Sequence, residues 1–127
     1  MQRVAVYRNL RKNCLSIQSR EQENYGKIIG YCKSIFLKRP EFIVREKSRL
    51  RVLKEGRKNV HAFVVGRCPD LKLWSWQDRD ITMGGNPTTK IFYNPYKYST
   101  FVDKVGNPVY KARAVVVNTN YIQADLN

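Results

Sequence analysis

A dense group of basic side chains lies just ahead of the only histidine in the chain. Residues 45–58 contain seven Lys or Arg against two Glu, a balance of +5. The basic residues are Arg45, Lys47, Arg49, Arg51, Lys54, Arg57 and Lys58. Such side chains neutralise phosphates and release the counterions that are condensed on a nucleic acid. This stretch therefore indicates binding to a polyanion.

Charge is unevenly distributed along the rest of the chain. The net charge is +14, and residues 1–72 carry 18 basic and 6 acidic residues, whereas residues 73–127 carry 6 and 4. Concentrated positive charge destabilises a compact fold by self-repulsion, which an anionic partner relieves. Arg8, Arg11 and Lys12 form a second basic group that we expect to assist the first. A solvated face that only confers solubility would have the same composition, and the sequence leaves that alternative open.

His61 raises the question of catalysis. A histidine beside Arg57 and Lys58 could act as the general base of a metal-independent ribonuclease, with the cations stabilising a pentacovalent phosphorane. Its natural partner is a second histidine or a placed carboxylate, and spacing identifies none, Glu55 being the nearest candidate. The alternative is that His61 packs at the start of a strand. The motifs of nucleotide-binding loops, zinc proteases and serine hydrolases are absent from the sequence. We therefore predict a binding protein with no enzymatic activity and no cofactor.

The three cysteines, Cys14, Cys32 and Cys68, are predicted to be reduced and buried. Their number is odd, and their separations of 18 and 36 residues form neither a CxxC pair nor a zinc ribbon. One histidine cannot complete the usual zinc ligand sets without a close pair of thiols. We therefore predict no metal site.

Aromatic side chains alternate with polar ones in two places. Segment 93–98 contains three tyrosines around one lysine, and Trp74 and Trp76 flank a serine. Exposed rings beside Lys and Arg serve single-strand binders for base stacking. Aromatic rings also fill cores, and the two tryptophans share one face of a strand as core residues would. Segment 93–98, which Pro95 interrupts, is the better candidate for an exposed stacking site.

The elements that position these residues are predicted to form one α+β domain over residues 1–127. It is a mainly antiparallel β-sheet with one basic helix near residues 45–55, which ends at Gly56. On this helix Leu50 and Leu53 share a face that we predict to be buried. The neighbouring cations form what we call the basic ridge: Lys47, Arg51, Lys54 and Lys58. As an alternative strand, Leu50 and Val52 would alternate with arginines.

Short apolar segments bounded by turn residues predict the strands. They cover residues 4–7, 14–17, 27–31, 34–37, 42–44 and 61–65. The last third is predicted to be a β-hairpin that begins at 90–93, turns at 105–108 and returns through 109–117. One face of the return strand would hold Tyr110, Ala112, Ala114 and Val116.

Three segments carry a resemblance to known proteins: VYRNLRKNCLSI near the start, GRKNVHAFVVG in the middle and FYNPYKYSTFV later. Through them the chain resembles a group of small, uncharacterised bacteriophage accessory proteins, loosely from residue 6 to residue 102. The resemblance implies a viral protein that works inside a bacterial host. It assigns no role to any residue.

Three classes of function follow from these features. The leading class is a nucleic-acid-binding protein that contacts the phosphates of DNA or RNA through residues 45–58, helped by Arg8, Arg11 and Lys12. The second is a binder of an acidic host protein, such as a nuclease or polymerase, through the same charges. The third is a virion component that contacts packaged DNA. No apolar run approaches the roughly 18 residues of a membrane span, and the start lacks a secretory signal, so we expect a cytoplasmic protein with no membrane partner.

Overall fold

The computed structural model describes residues 2–56, 59–68 and 87–126. In this part of the chain eight strands form one sheet, and every strand pair is antiparallel. The strands are β1 Gln2–Asn9, β2 Cys14–Ser19, β3 Ile28–Cys32, β4 Ser34–Val44, β5 Ala62–Cys68, β6 Thr89–Ile91, β7 Ala114–Asn118 and β8 Ile122–Asp125. Their order across the sheet is β3-β2-β1-β5-β4-β7-β8-β6. A 3₁₀ turn, Gln22–Asn24, and one α-helix, α1 Glu46–Glu55, complete the described elements. The prediction of a mainly antiparallel sheet with a single helix is confirmed.

Strand β4 is the longest strand and joins two segments that were predicted to be separate. It carries an irregularity between Lys38 and Glu41, where Arg39 adopts a left-handed φ of 49°. Pro40, which lacks a backbone donor, lies at this bulge, the kind of position where a sheet tolerates proline. Residues 34–38 of β4 pair with β7, whereas Lys38 and residues 41–44 pair with β5. Lys38, just before the bulge, is therefore paired on both sides.

The two faces of the sheet bury different sets of side chains. The main core includes Val6, Ile17, Val64 and Val115, and it packs against Phe101 from the segment before β7. A smaller cluster on the opposite face consists of the following residues: Ala5, Phe63 and Val65, with Tyr7 and Ile43 against them. All three cysteines are buried and none is in a disulfide, as predicted. We call the side of the smaller cluster the outer face.

The C-terminal hairpin differs from its prediction. The paired strands are β7 and β8, so the return strand begins at Ala114 rather than at residue 109. Tyr110 is exposed, while Val115 and Val117, which lie off the predicted face, are buried in the core. The turn near 105–108 does form. There the Asp103 carboxylate accepts hydrogen bonds from the backbone N–H groups of Val105 and Asn107, each at 3.0 Å, and the bonds from Asn107 and Val105 hold the pKa of this carboxyl below its usual value.

Helix α1 covers nearly the predicted range, but a different face of it is buried from the one that we predicted. Gly56 ends it with a left-handed φ of 69°, and its N–H donates to the Val52 carbonyl. Val52 is 3% exposed, whereas Leu50 and Leu53 are 50% and 39% exposed, so the prediction that both leucines are buried is wrong. The cause is Arg49, whose Nε donates to the Pro95 carbonyl at 3.0 Å and so directs the face of residues 49 and 52 inward. The alternative of a strand over this stretch is also wrong.

Candidate nucleic-acid interface

The basic ridge is exposed along its described part. Three of its residues are exposed, and their side chains make no hydrogen bond or ion pair with any residue that the structure describes: Lys47, Arg51 and Lys54. Lys58 of the ridge lies outside the described residues, as does Arg57. The predicted ridge is therefore accessible to a partner over three of its four cations.

Arg49 has a structural role instead. Its side chain is 13% exposed, and Nη1 lies 2.7 Å from the Glu46 carboxylate in the only ion pair among residues 2–56, 59–68 and 87–126. Together with the hydrogen bond to Pro95, this pair fixes the helix against the segment that precedes Phe101. Arg49 is thus not available to bind a phosphate.

Arg45 lies on the outer face of the sheet rather than on the ridge. Its guanidinium carbon is 5.1 Å from the centre of the Phe63 ring, and the guanidinium of Arg20 is at the same distance from that ring. Cations over an aromatic ring are attracted to its electron-rich face. The backbone N–H of Arg45 donates to the His61 carbonyl at 2.7 Å, which continues the pairing of β4 with β5.

The second predicted basic group lies in the β1–β2 turn, and its members differ in role. Arg8 donates to the Cys14 carbonyl at 3.2 Å and to the Asn13 side chain, and so it holds the turn together. The Lys12 ammonium lies 4.6 Å from the centre of the Tyr31 ring. Arg11 is exposed and has no hydrogen bond or ion pair within the described chain. Arg11 is therefore the member of this group most available to a ligand.

A group of cations that the sequence reasoning missed lies across the outer face. Arg3 on β1 is directly opposite Arg67 on β5, and Arg67 is directly opposite Lys38 on β4. Arg20 follows β2, and its N–H donates to the Arg3 carbonyl at 3.0 Å, so it extends the same line. We call this set the cationic row: Arg20, Arg3, Arg67 and Lys38. Adjacent strands lie about 4.8 Å apart, so the row spans roughly 14 Å.

No side chain of the cationic row forms an ion pair with a described carboxylate, although the Glu21 carboxylate accepts the backbone N–H of Arg3 at 2.8 Å. Arg3, Arg67 and Lys38 make no side-chain hydrogen bond or ion pair in the described chain, and Arg20 donates only to the Tyr25 hydroxyl. A depression of about 260 Å³ lies beside the row, and Arg3, Arg39 and Arg67 line it together with Glu41. Like charges directly opposite each other in a sheet destabilise it. The row therefore costs stability unless an anion neutralises it.

The register of the sheet explains why the row escaped sequence reasoning. Arg3 and Arg67 each adjoin a buried residue, Val4 and Cys68, as exposed positions of strands do, and this alternation was available in the sequence. Which residues lie opposite one another depends on strand pairing, and β1 and β5 are separated by most of the first half of the chain. The sequence instead indicated the helix as the binding site, because the cations of the helix are close together in the sequence.

His61 belongs to a hydrogen-bonded network at the start of β5. Nδ1 lies 3.1 Å from the Asn59 carbonyl oxygen, which can only accept, so Nδ1 is the donor. Nε2 then accepts a hydrogen bond from the Tyr93 hydroxyl at 2.7 Å. Burial raises the pKa of Tyr93 to about 12, which keeps this hydroxyl a donor at neutral pH. No hydrogen bond links His61 to Glu55 or to any other carboxylate of the described chain, and the imidazole has the arrangement of a packed residue at a strand start.

The aromatic residues that were predicted to stack on bases have different environments in the structure. Tyr93 stacks against Phe101 with ring centres 5.1 Å apart and contributes to the core, whereas Tyr96 is exposed. Trp74 and Trp76 lie outside the described residues. Segment 93–98 is therefore exposed in part, as predicted.

The described residues define a class: a small, mainly antiparallel β-sheet protein with one helix in that part of the chain and an outer face that carries a row of cations. Comparison with known proteins gives its family. A family described as the Mycobacterium phage L5 gene 82 protein matches residues 1–125. The gene 82 protein of Mycobacterium phage L5 is 35% identical over 106 residues, which cover 79% of this chain and 76% of the relative.

The chain belongs to the Mycobacterium phage L5 gene 82 protein family. This confirms the resemblance to small phage proteins. No solved structure matches the chain. Among the described residues no helix is long and apolar enough to cross a membrane.

Proposed function

We propose that this phage protein binds nucleic acid inside the infected bacterium, through phosphate contacts made by the cationic row. The proposal is supported by the register that sets Arg3, Arg67 and Lys38 side by side, with no ion pair between them and a described carboxylate. A sheet that keeps like charges opposite one another loses stability by about 0.2–1 kcal/mol per pair. Binding of phosphates offsets that loss.

The geometry favours contact with the backbone over reading of base edges. The row lies on a pleated surface, and its guanidinium groups can each donate two parallel hydrogen bonds to a phosphate. Contacts with phosphate carry no sequence information. The proposed function is therefore binding without strong sequence preference, and the exposed cations of the basic ridge add attraction at longer range.

The dependence of affinity on salt tests the proposal. Each phosphate contact contributes about −0.7 to the log–log slope on single strands and about −0.9 on duplex DNA, so four contacts give roughly −3 to −4. The measurement is fluorescence anisotropy with labelled DNA and RNA at graded salt. Absence of binding at low salt, or an affinity that does not change with salt, would contradict the proposal.

A competition experiment separates nucleic acid from an acidic protein. Polyglutamate presents carboxylates at high density but no phosphates. If nucleic acid is the partner, polyglutamate should displace the labelled strand far less effectively than unlabelled nucleic acid of equal charge, although guanidinium groups pair with carboxylates as well as with phosphates. Equal displacement would favour an acidic protein as the partner.

A further inference from the structure

A cavity of about 1020 Å³ opens between the end of β1, the start of β5 and segments 90–96 and 117–122. Its lining is largely apolar and aromatic. Five of the twelve large hydrophobic side chains that are exposed in the described chain line it: Leu10, Val60, Phe92, Tyr96 and Tyr121. Exposed apolar side chains gathered at one concave site indicate a binding surface rather than random exposure.

The charged groups of the cavity have one sign. Arg8, Arg11 and Lys90 line it, and no Asp or Glu is found among the described lining residues. Arg11 and Lys90 are exposed and have no hydrogen bond or ion pair within the described chain, so both can bind an anion. The Asn120 side chain, also in the lining, is not engaged in any hydrogen bond there and offers both a donor and an acceptor. A matching ligand is therefore flat and apolar, with polar edges and negative charge.

We infer that this cavity binds unpaired bases of a single-stranded nucleic acid, whose phosphates contact Arg11 and Lys90. The inference rests on the proposed function, and it specifies that the nucleic acid is single-stranded. Nucleobases combine an aromatic face with hydrogen-bonding edges, and exposed aromatic side chains beside cations are the platforms on which single strands stack. In a duplex these faces are covered by neighbouring base pairs, so a duplex cannot place them in the cavity.

The cavity and the cationic row lie mainly on different faces of the sheet, because core residues such as Val6 and Val64 line the cavity, whereas the row lies on the outer face. Tyr7 lines the cavity and lies four residues along β1 from Arg3. Four residues of a strand extend about 14 Å. A strand that occupied both sites would have to pass over the end of the sheet, so the cavity is tested as a site separate from the row.

A matched set of labelled strands tests this inference. The first probe is a single strand with bases, the second is an abasic strand of the same length, and the third is the duplex. Base stacking on a protein ring contributes about 5- to 150-fold in affinity per base. We expect the single strand with bases, called the normal strand below, to bind at least about 5-fold more tightly than the abasic strand and the duplex. Equal affinity for the normal and abasic strands would overturn the inference.

Variants locate the effect in the cavity. Tyr96, which is 66% exposed, lines the cavity, whereas Tyr110, which is 60% exposed, does not. We expect Tyr96→Ala to reduce the advantage of the normal strand over the abasic strand by about 5-fold or more, and Tyr110→Ala to leave it unchanged. An unchanged advantage in Tyr96→Ala combined with Phe92→Ala would overturn the inference. Both side chains are exposed, so the variants should fold, which thermal melting checks.

The outcomes distinguish this inference from the proposed function. If both normal and abasic strands bind equally and with steep salt dependence, phosphate binding stands and the base cavity is wrong. If neither strand binds at low salt, the proposed function fails and the inference fails with it.

Discussion

The cationic row and helix α1 present positive charge in two different ways. In the row, strand pairing fixes Arg3, Arg67 and Lys38 side by side on adjacent strands. Their backbones cannot move apart without breaking the hydrogen bonds of the sheet. On the helix, Arg49 is bound to Glu46 and Pro95, while Arg51 extends freely into solvent. The cations of the helix therefore lower the stability of the fold little, whereas the cations of the sheet lower it through repulsion between neighbouring strands. Charge that is kept at a cost is the better indicator of a binding site.

The largest expected effect comes from reversing the central charge of the row. Arg67→Glu removes one phosphate contact and places a carboxylate between Arg3 and Lys38, so the net charge of the row falls from +4 to +2. We expect affinity for nucleic acid to fall by roughly a hundredfold at low salt. Arg51→Glu makes the same change in net charge on the helix and should lower affinity by about tenfold or less. A larger loss from Arg51→Glu, measured by anisotropy, would place the interface on the basic ridge.

A methyl group at Gly66 tests the framework beneath the row. A Cβ there would lie 2.8 Å from the Leu37 Cβ and 3.3 Å from the Lys38 carbonyl oxygen, so β4 and β5 would have to move apart. We expect Gly66→Ala to lower the free energy of unfolding by about 1–3 kcal/mol in urea denaturation. Since Arg67 and Lys38 belong to these two strands, affinity for nucleic acid should fall as well. Unchanged stability would mean that the strands are not as close as described.

The orientation of helix α1 is tested by two truncations on its neighbouring faces. Val52→Ala removes buried methyl groups and should cost about 1–2 kcal/mol in the free energy of unfolding. Leu50→Ala removes a larger but half-exposed side chain and should cost no more than about 0.5 kcal/mol. Chemical denaturation of both variants decides the matter. A larger loss of stability from Leu50→Ala than from Val52→Ala would mean that the face predicted from the sequence is the buried one. The exposed cations of the helix would then point in a different direction.

The smallest effect is a gain in stability. Arg67→Gln removes a positive charge from between two others without adding a negative one. We expect the free energy of unfolding to rise by about 0.2–1 kcal/mol at low salt, and the gain to shrink as salt screens the repulsion. The control Arg51→Gln should change stability little at any salt. If Arg67→Gln were destabilising, the row would be held by favourable contacts and would not indicate an anion.

Much of the fold was predictable because it depends on local patterns. Alternating polarity placed strands near β1, β2, β3 and β5, and Gly56 marked the end of α1 because only glycine readily adopts the left-handed conformation there. The hairpin β7–β8 was placed too early in the chain. Residues 109–113 alternate in polarity as a strand does, but they form only one isolated bridge, from Lys111 to Glu41, among the described residues. Alternation shows that a segment can be a strand, and the presence of a partner decides whether it becomes one.

By itself the sequence determined the positive charge of the protein, its mainly antiparallel architecture and the limits of its helix, because composition and local periodicity act over a few residues. Only the tertiary structure decided which face of the helix is buried, through the hydrogen bond from Arg49 to a carbonyl 46 residues away. It also decided which cations lie together. Arg3 and Arg67 are far apart in the sequence and opposite one another in the sheet, and strand register, a long-range property, brings them there.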